Sequence, residues 1–254
     1  MIGVFDSGLG GLSVLAALTD ALPRSDFVYF ADSANVPYGN KPDAFIQDRA
    51  LAIGGDLTKR GCRMLVVACN TATAASVQAL REAHPGIPVI GVEPGIKPAA
   101  QTTVSRKIAV LVTESTARSE RLAQLIREHA NHISVHVEAC PGWATQVETL
   151  KLHDPRLIDD VSKRLEPLLS NGVDRIVLGC THYSFLRPIL ETVIAGRAEI
   201  IDVAAAVARQ TQRLAGNATL GKGHLTMLAS ADVECLFAAL PALGLQHLTL
   251  KCGL

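Results

Sequence analysis

Aromatic residues are scarce in this chain of 254 residues, only 4% with a single tryptophan, and charged residues reach only 19%. With 48% hydrophobic residues, that balance excludes a disordered chain and supplies the core of one large domain or two small ones. Excess charge of either sign is missing, since 24 Lys+Arg face 24 Asp+Glu. No bulk positive field therefore recruits nucleic acid or anionic lipid. No apolar run reaches the roughly 18 residues that suggest a membrane helix. The opening MIGVFDSG has no charged stretch ahead of an apolar one. Neither a membrane span nor a secretory leader is expected, and the expected compartment is the cytoplasm. Close cysteine pairs are missing as well: Cys62, Cys69, Cys140, Cys180, Cys235 and Cys252 form no CxxC. That excludes a disulfide framework and the usual zinc spacing. With no PLP or dinucleotide signature either, no metal and no organic cofactor is expected.

What the chain does contain is a succession of short apolar runs. Strands are expected at 2–5, 27–31, 64–68, 87–92, 107–113, 133–138, 174–179 and 198–202, with later ones at 225–229 and 247–251. Amphipathic segments fill the gaps, such as 43–60 and 154–170. The latter opens with Asp154 as cap and Pro155 in its first turn, and Gly61 and Gly172 close the two. Nearly continuous apolar strands alternating with helices predict an α/β fold with mainly parallel sheets, covered on both faces.

The pattern also repeats. GVFDSG (3–8) has a counterpart in AVLVTES (109–115), FVYFAD (27–32) in SVHVEAC (134–140), MLVVACNTAT (64–73) in RIVLGCTHYS (175–184), and IPVIGVEP (87–94) in AEIIDVAA (198–205). The offsets, taken with Asp6 on Thr113 for the first pair, are similar throughout. Both third strands end in a cysteine followed by hydroxyl or amide side chains. Two pseudo-symmetric lobes are expected, residues 1–95 plus 205–254 and residues 96–204, with the active site in the cleft between them. Ligands of open parallel sheets bind beyond the carboxyl ends of the strands. There lie Asp6-Ser7, Asp32 and Cys69-Asn70-Thr71 in the first half, and Thr113, Cys140 and Cys180-Thr181-His182 in the second.

Several chemistries fit part of this set. DSGLGGLS (6–13) lacks the spacing of a phosphate loop, and Asp6 repels phosphate, so its glycines read as a tight turn that suits a small carboxylate. A hydrolase built on Cys180 and His182 leaves Cys69 unexplained. A reading that uses both thiols is proton transfer. A thiol with an ordinary pKa near 8.5 holds or releases a proton with modest tuning. One thiolate and one thiol on opposite faces of a planar carbanion invert a stereocentre, with Asp6 near Cys69 and His182 near Cys180 as tuning groups.

DSGLGGLSV (6–14), VPYG (36–39), ACNTATA (68–74) and LGCTHY (178–183), in this order, closely resemble the glutamate racemase family, as do GVEPG (91–95) and the Cys-Pro start of 140–148. The resemblance covers nearly the whole chain. It implies an isomerase that interconverts L- and D-glutamate without a cofactor and supplies D-glutamate to peptidoglycan, hence to cell-wall biogenesis and cell shape. It implies Cys69 and Cys180 as the proton-transfer pair, assisted by Asp6, His182 and Glu148. It implies substrate contacts from Asp6, Ser7, Tyr38, Gly39, Asn70, Thr71, Thr181 and His182. A homodimer is the expected assembly, with glutamate as the small-molecule partner and no nucleic acid or membrane. The segment CPGWATQVE (140–148) departs from the family by carrying Trp143 and polar residues where aliphatic ones are common.

A racemase of another substrate, of aspartate or hydantoin type, is the main alternative. An amino-acid-binding module without catalysis is the alternative from another class, and it has no need for a thiol at each third strand. A redox protein is disfavoured because the two cysteines form no CxxC couple. Dialysis against a chelator is expected to leave turnover unchanged, and loss of activity restored by zinc contradicts the cofactor-free reading.

Overall fold

The computed structural model describes residues 1–216 and 220–252. In chain order come β1 (Ile2–Asp6), α1 (Leu12–Ala21), β2 (Phe27–Ala31), α2 (Asp43–Lys59), β3 (Leu65–Val67), α3 (Asn70–Ala83) and β4 (Val89–Gly91). A second series follows: α4 (Ile96–Thr102), β5 (Lys107–Val112), α5 (Glu114–Ala117), α6 (Glu120–His129), β6 (Ser134–Ala139), α7 (Trp143–Glu148), α8 (Pro155–Ser170), β7 (Arg175–Leu178), α9 (Arg187–Ile194) and β8 (Glu199–Ile201). The tail supplies α10 (Ala204–Ala215), β9 (Leu225–Ala229) and α11 (Val233–Ala242). Residues 217–219 and 253–254 of the expected 205–254 tail lie outside the described residues.

All strand pairings are parallel. One sheet has the order β4-β3-β1-β2-β9 and the other β6-β5-β7-β8. Written from its opposite edge, the second sheet is β8-β7-β5-β6, the same succession of crossovers as β4-β3-β1-β2. The duplication anticipated from the sequence is thus a duplication of topology. The chain divides into two compact units, Met1–Val92 with Ala204–Leu254, and Glu93–Val203. The tail joins the first because β9 pairs along β2, Phe27 with Leu225 through Ala31 with Ala229.

Helices cover the sheets because their apolar positions recur on one face. In α8, Leu157, Val161, Leu165, Leu168 and Leu169 are buried, a spacing of three and four residues. Its start is fixed by Asp154, whose side chain accepts the Arg156 N–H at 2.9 Å. Its end is fixed by Gly172 at φ +83°, where the N–H groups of Gly172 and Val173 return to the carbonyls of Leu169 and Leu168.

The expected strand at 247–251 is instead a 3-10 helix, Gln246–Lys251. The alternation His-Leu-Thr-Leu-Lys mimics a strand, but Leu248 is fully buried while Leu250 is 88% exposed. Two leucines two residues apart on a strand share a face, and these do not.

A Cβ at residue 172 meets nothing within 4 Å, so Gly172→Ala isolates the backbone effect. The left-handed conformation costs alanine about 1 kcal/mol. Urea unfolding is expected to show that loss with an unchanged slope; an unchanged midpoint contradicts a Gly172 stop.

Candidate active site

Each sheet reverses its direction of growth after its second strand. From β1 the chain moves to β2 on one side and then to β3 on the other; from β5 it moves to β6 and then to β7. The carboxyl ends of β1 with β3, and of β5 with β7, are where an open parallel sheet leaves a ligand crevice. The register there is equivalent in the two units. The Ala68 N–H bonds the Phe5 carbonyl at 2.8 Å, and the Gly179 N–H bonds the Leu111 carbonyl at 2.8 Å. Continuing each ladder sets Cys69 beside Ser7 and Cys180 beside Thr113. The counterpart of Asp6 is therefore Val112, one residue before the Thr113 expected from sequence matching.

In the first unit Cys69 is the N-cap of α3, and the Ala72 N–H points to its sulfur at 3.5 Å. The positive end of the helix favours a thiolate there. The Ser7 hydroxyl lies 4.0 Å from the same sulfur. Asp6, fully buried, accepts from the Ser7 hydroxyl at 3.1 Å and the Gly8 N–H at 2.7 Å. It therefore organises its own turn and is not the cap of α1, whose N-cap is Gly11. Gly11 has to be small, because a Cβ there comes 2.5 Å from the Cβ of Asp6. Next to Cys69, both polar atoms of the Asn70 carboxamide are buried and bond nothing. A buried amide left unsatisfied costs about 1–3 kcal/mol, which makes Asn70 a candidate contact for a bound polar molecule. Thr71 is buried beside it.

Tyr38 is buried and gives its hydroxyl to Asp32 at 2.6 Å, so any ligand contact by Tyr38 comes from its backbone. Tyr38 and Gly39 open a 3-10 helix, Tyr38–Asn40, whose first N–H groups have no partner inside the helix. Asp32 is a pillar of this loop. Arg49 of α2 grips it through Nε at 3.0 Å and Nη2 at 2.7 Å, and the Asn35 amide adds bonds at 3.1 and 3.2 Å. Burial opposes the charge, but the bonds from Arg49 and Tyr38 prevail and hold the carboxyl below its ordinary range. Arg49 went unnoticed in the sequence; a carboxylate at the end of a buried strand, which needs a cation, was the available signal.

In the second unit Cys180 ends the strand segment with backbone angles of −143° and 131°, close to the −134° and 120° of Cys69. Its sulfur lies 3.6 Å from His182 Nδ1, and His182 Nε2 lies 2.5 Å from Glu148 Oε1. An imidazole flanked by sulfur and carboxylate donates on both sides only as imidazolium. Burial opposes that charge, but the bonds to Cys180 and Glu148 outweigh it and raise His182 well above its usual range. Thr181 and His182 are buried in the 3-10 helix Thr181–Leu186. The other cysteines have different surroundings: burial pushes Cys62 up to about 11, and raises Cys140 and Cys252 as well. Cys235 is exposed. Among the described residues no group of three or more His, Cys, Asp or Glu could hold a metal ion, and no helix is long and apolar enough to cross a membrane.

Within the first unit the structure thus brings Asp6, Ser7 and Cys69 together, with Asn70 and Thr71 following the thiol on α3. Within the second it brings Glu148, His182 and Cys180 together, with Thr181 between the last two. A duplicated parallel α/β fold with a thiol at each switch point is the setting of an amino-acid isomerase. A family model described as Asp/Glu/Hydantoin racemase matches residues 2–211, and the chain belongs to that family. The chain is 44% identical over 256 residues to a glutamate racemase of Pseudomonas putida (strain GB-1), covering 99% of this chain and 95% of the relative. A crystal structure of a glutamate racemase from Bacillus anthracis superposes with a TM-score of 0.84 at 32% identity, covering 96% of this chain and 94% of that one. The Escherichia coli glutamate racemase, solved with L-glutamate and the activator UDP-MurNAc-Ala, superposes with a TM-score of 0.83 at 33% identity, covering 95% and 94%.

The raised pKa of His182 has a sign that can be measured. A group raised in the folded state adds stability that is complete below its unfolded value of about 6.5 and is lost as pH rises through the folded value. Glu148→Gln removes part of that raising. Denaturant unfolding is expected to show the deficit of this variant fully developed at about pH 6.5 and shrinking toward alkaline pH; a deficit constant across that range contradicts the imidazolium.

Proposed function

We propose that this protein racemises glutamate, without metal or organic cofactor, by passing protons between substrate and two thiols. The observation that carries the reading is the equivalence of Cys69 and Cys180, each one residue beyond the matching backbone bond at the end of β3 and β7. The choice of glutamate is supported by the relatives, which bear that name at 42–44% identity over most of the chain.

In this reading the two switch points close on one substrate, so that each thiol addresses one face of its α-carbon. With L-glutamate, the Cys180 thiolate takes the α-proton and becomes a thiol. The electron pair left on carbon is delocalised into the carboxylate, and the Cys69 thiol delivers its proton to the opposite face, becoming a thiolate. D-glutamate runs the same steps in reverse. The His182 imidazolium stabilises the Cys180 thiolate and Glu148 holds His182; the α3 N-terminus, with Asp6 and Ser7, serves Cys69. The Asn70 carboxamide, with Thr71, Thr181 and the backbone of Tyr38 and Gly39, takes the polar groups of the substrate. The enzyme acts as a cytoplasmic homodimer whose D-glutamate enters peptidoglycan, and so sustains cell-wall biogenesis and cell shape.

Circular dichroism of the purified protein with L-glutamate is expected to decay to zero, and with L-aspartate to persist. The reverse pattern transfers the assignment to an aspartate racemase, and persistence with both leaves a binding module. In heavy water the product is expected to carry deuterium at the α-carbon. Cys69→Ala and Cys180→Ala are each expected to lower racemisation by roughly a thousandfold or more, since inversion needs both an acceptor and a donor. Near wild-type racemisation by either variant contradicts the mechanism.

A further inference from the structure

Helix α7 is only six residues long, starts after Gly142 at φ +81°, and has no side-chain cap at its N-terminus. A helix so short does not hold its own geometry. Yet its last residue, Glu148, meets His182 Nε2 at 2.5 Å, a contact that tolerates little displacement. Its orientation has to come from side-chain anchors, and Trp143 at its first residue supplies them. The Trp143 ring stands edge-on to Tyr183, the residue after His182, with centroids 5.3 Å apart and planes at 66°. The Trp143 Nε1–H donates to Asp160 Oδ2 on α8 at 2.7 Å. The same carboxylate oxygen accepts from Arg164 Nε at 2.9 Å, and Arg164 Nη1 continues to Glu138 Oε1 at 2.6 Å and the Ala139 carbonyl at 2.9 Å. Tyr183 is fixed from its other side by the carbonyls of Val112 and Cys140, each 3.2 Å from its hydroxyl. Both ends of α7 therefore clamp the turn that carries His182, and one end is tied through Trp143 to α8 and the end of β6.

We propose that Trp143, through Asp160 and Arg164, is a positioning residue for the isomerase: it sets α7 so that Glu148 holds His182 against the sulfur of Cys180. The proposal rests on Cys180 being a reacting thiol. The side chains that meet the ring nitrogens of His182 are Cys180 on its own turn and Glu148 on α7. On α9, Arg187 pairs with Glu191 at 3.1 Å; on β7, Arg175 pairs with Asp174 and with Glu199 on β8. Loosening α7 thus acts on His182 through Glu148.

The test follows the ring nitrogens of His182 by NMR across pH, with turnover measured on the same proteins. Trp143→Phe removes the indole N–H and keeps an aromatic edge. Asp160→Ala removes the acceptor, and Asp160→Asn removes the charge while keeping a carbonyl acceptor. Trp143→Phe and Asp160→Ala are expected to lower the His182 midpoint by about 1 pH unit, a tenfold loss in proton affinity. The alkaline limb of turnover is expected to shift with it and turnover to fall about tenfold, whereas Asp160→Asn stays close to wild type. An unmoved His182 midpoint in Trp143→Phe and Asp160→Ala, with only a lower melting temperature, reduces Trp143 to a packing residue and overturns the proposal. A shift in Asp160→Asn as large as in Asp160→Ala also overturns it, because lost charge then accounts for the effect. The NMR titration decides the matter even if racemisation of glutamate fails, so the two readings fall separately.

Discussion

Parallel strand register is the constraint on which the rest of this molecule depends. Because neighbouring strands run the same way, their carboxyl ends share one edge, and each sheet changes its direction of growth at β1/β3 or β5/β7. Both third strands stop at a cysteine at that edge, one residue past equivalent backbone bonds to β1 and β5. A slip of one residue in either ladder turns the cysteine away from its hydroxyl neighbour and into the covering layer. The short apolar strands thus hold two thiols at fixed places with matching backbone angles.

The surroundings of the two thiols are not alike, and the difference has a chemical rationale. Cys69 has a helix N-terminus, a serine hydroxyl and the buried Asp6 on the adjacent strand. At the position equivalent to Asp6 the second unit carries Val112, and the polar chain at Cys180 is His182 followed by Glu148, on a 3-10 turn and a short helix. Enantiomers put their remaining groups in mirror-related places, whereas a chain of L-residues cannot be mirror-symmetric. In the proposed mechanism a duplicated fold repeats the position of the acid–base atom, while each half tunes its thiol with different neighbours.

How much of this is legible in the sequence depends on the distance over which an interaction acts. The strands and helices are legible because burial leaves a local period: β-branched runs for β1, β5 and β7, a three-four spacing for α8, and the Asp154 and Gly172 signals at its ends. The duplication is legible because both copies keep Cys-Asn-Thr or Cys-Thr-His after a strand, although matching letters put Asp6 on Thr113 where the backbone puts it on Val112. The segment 247–251 was misread because two leucines in alternation do not reveal that one faces solvent. Pairings across the fold leave no local mark. Arg49 is 17 residues from Asp32, Trp143 is 17 from Asp160, and Glu148 is 34 from His182. The part in catalysis given to Glu148 came from family resemblance alone, and the loop role of Asp32 came only with the structure.

In the proposed mechanism two thiols serve opposite faces of one carbon, and the most direct measurement is a crystal structure with glutamate bound. It is expected to show the sulfurs of Cys69 and Cys180 each within about 4 Å of the substrate α-carbon, on opposite sides of it, with the Asn70 carboxamide bonded to a substrate polar group. Both sulfurs on the same side, or one of them more than about 6 Å from that carbon in the closed complex, contradicts the account.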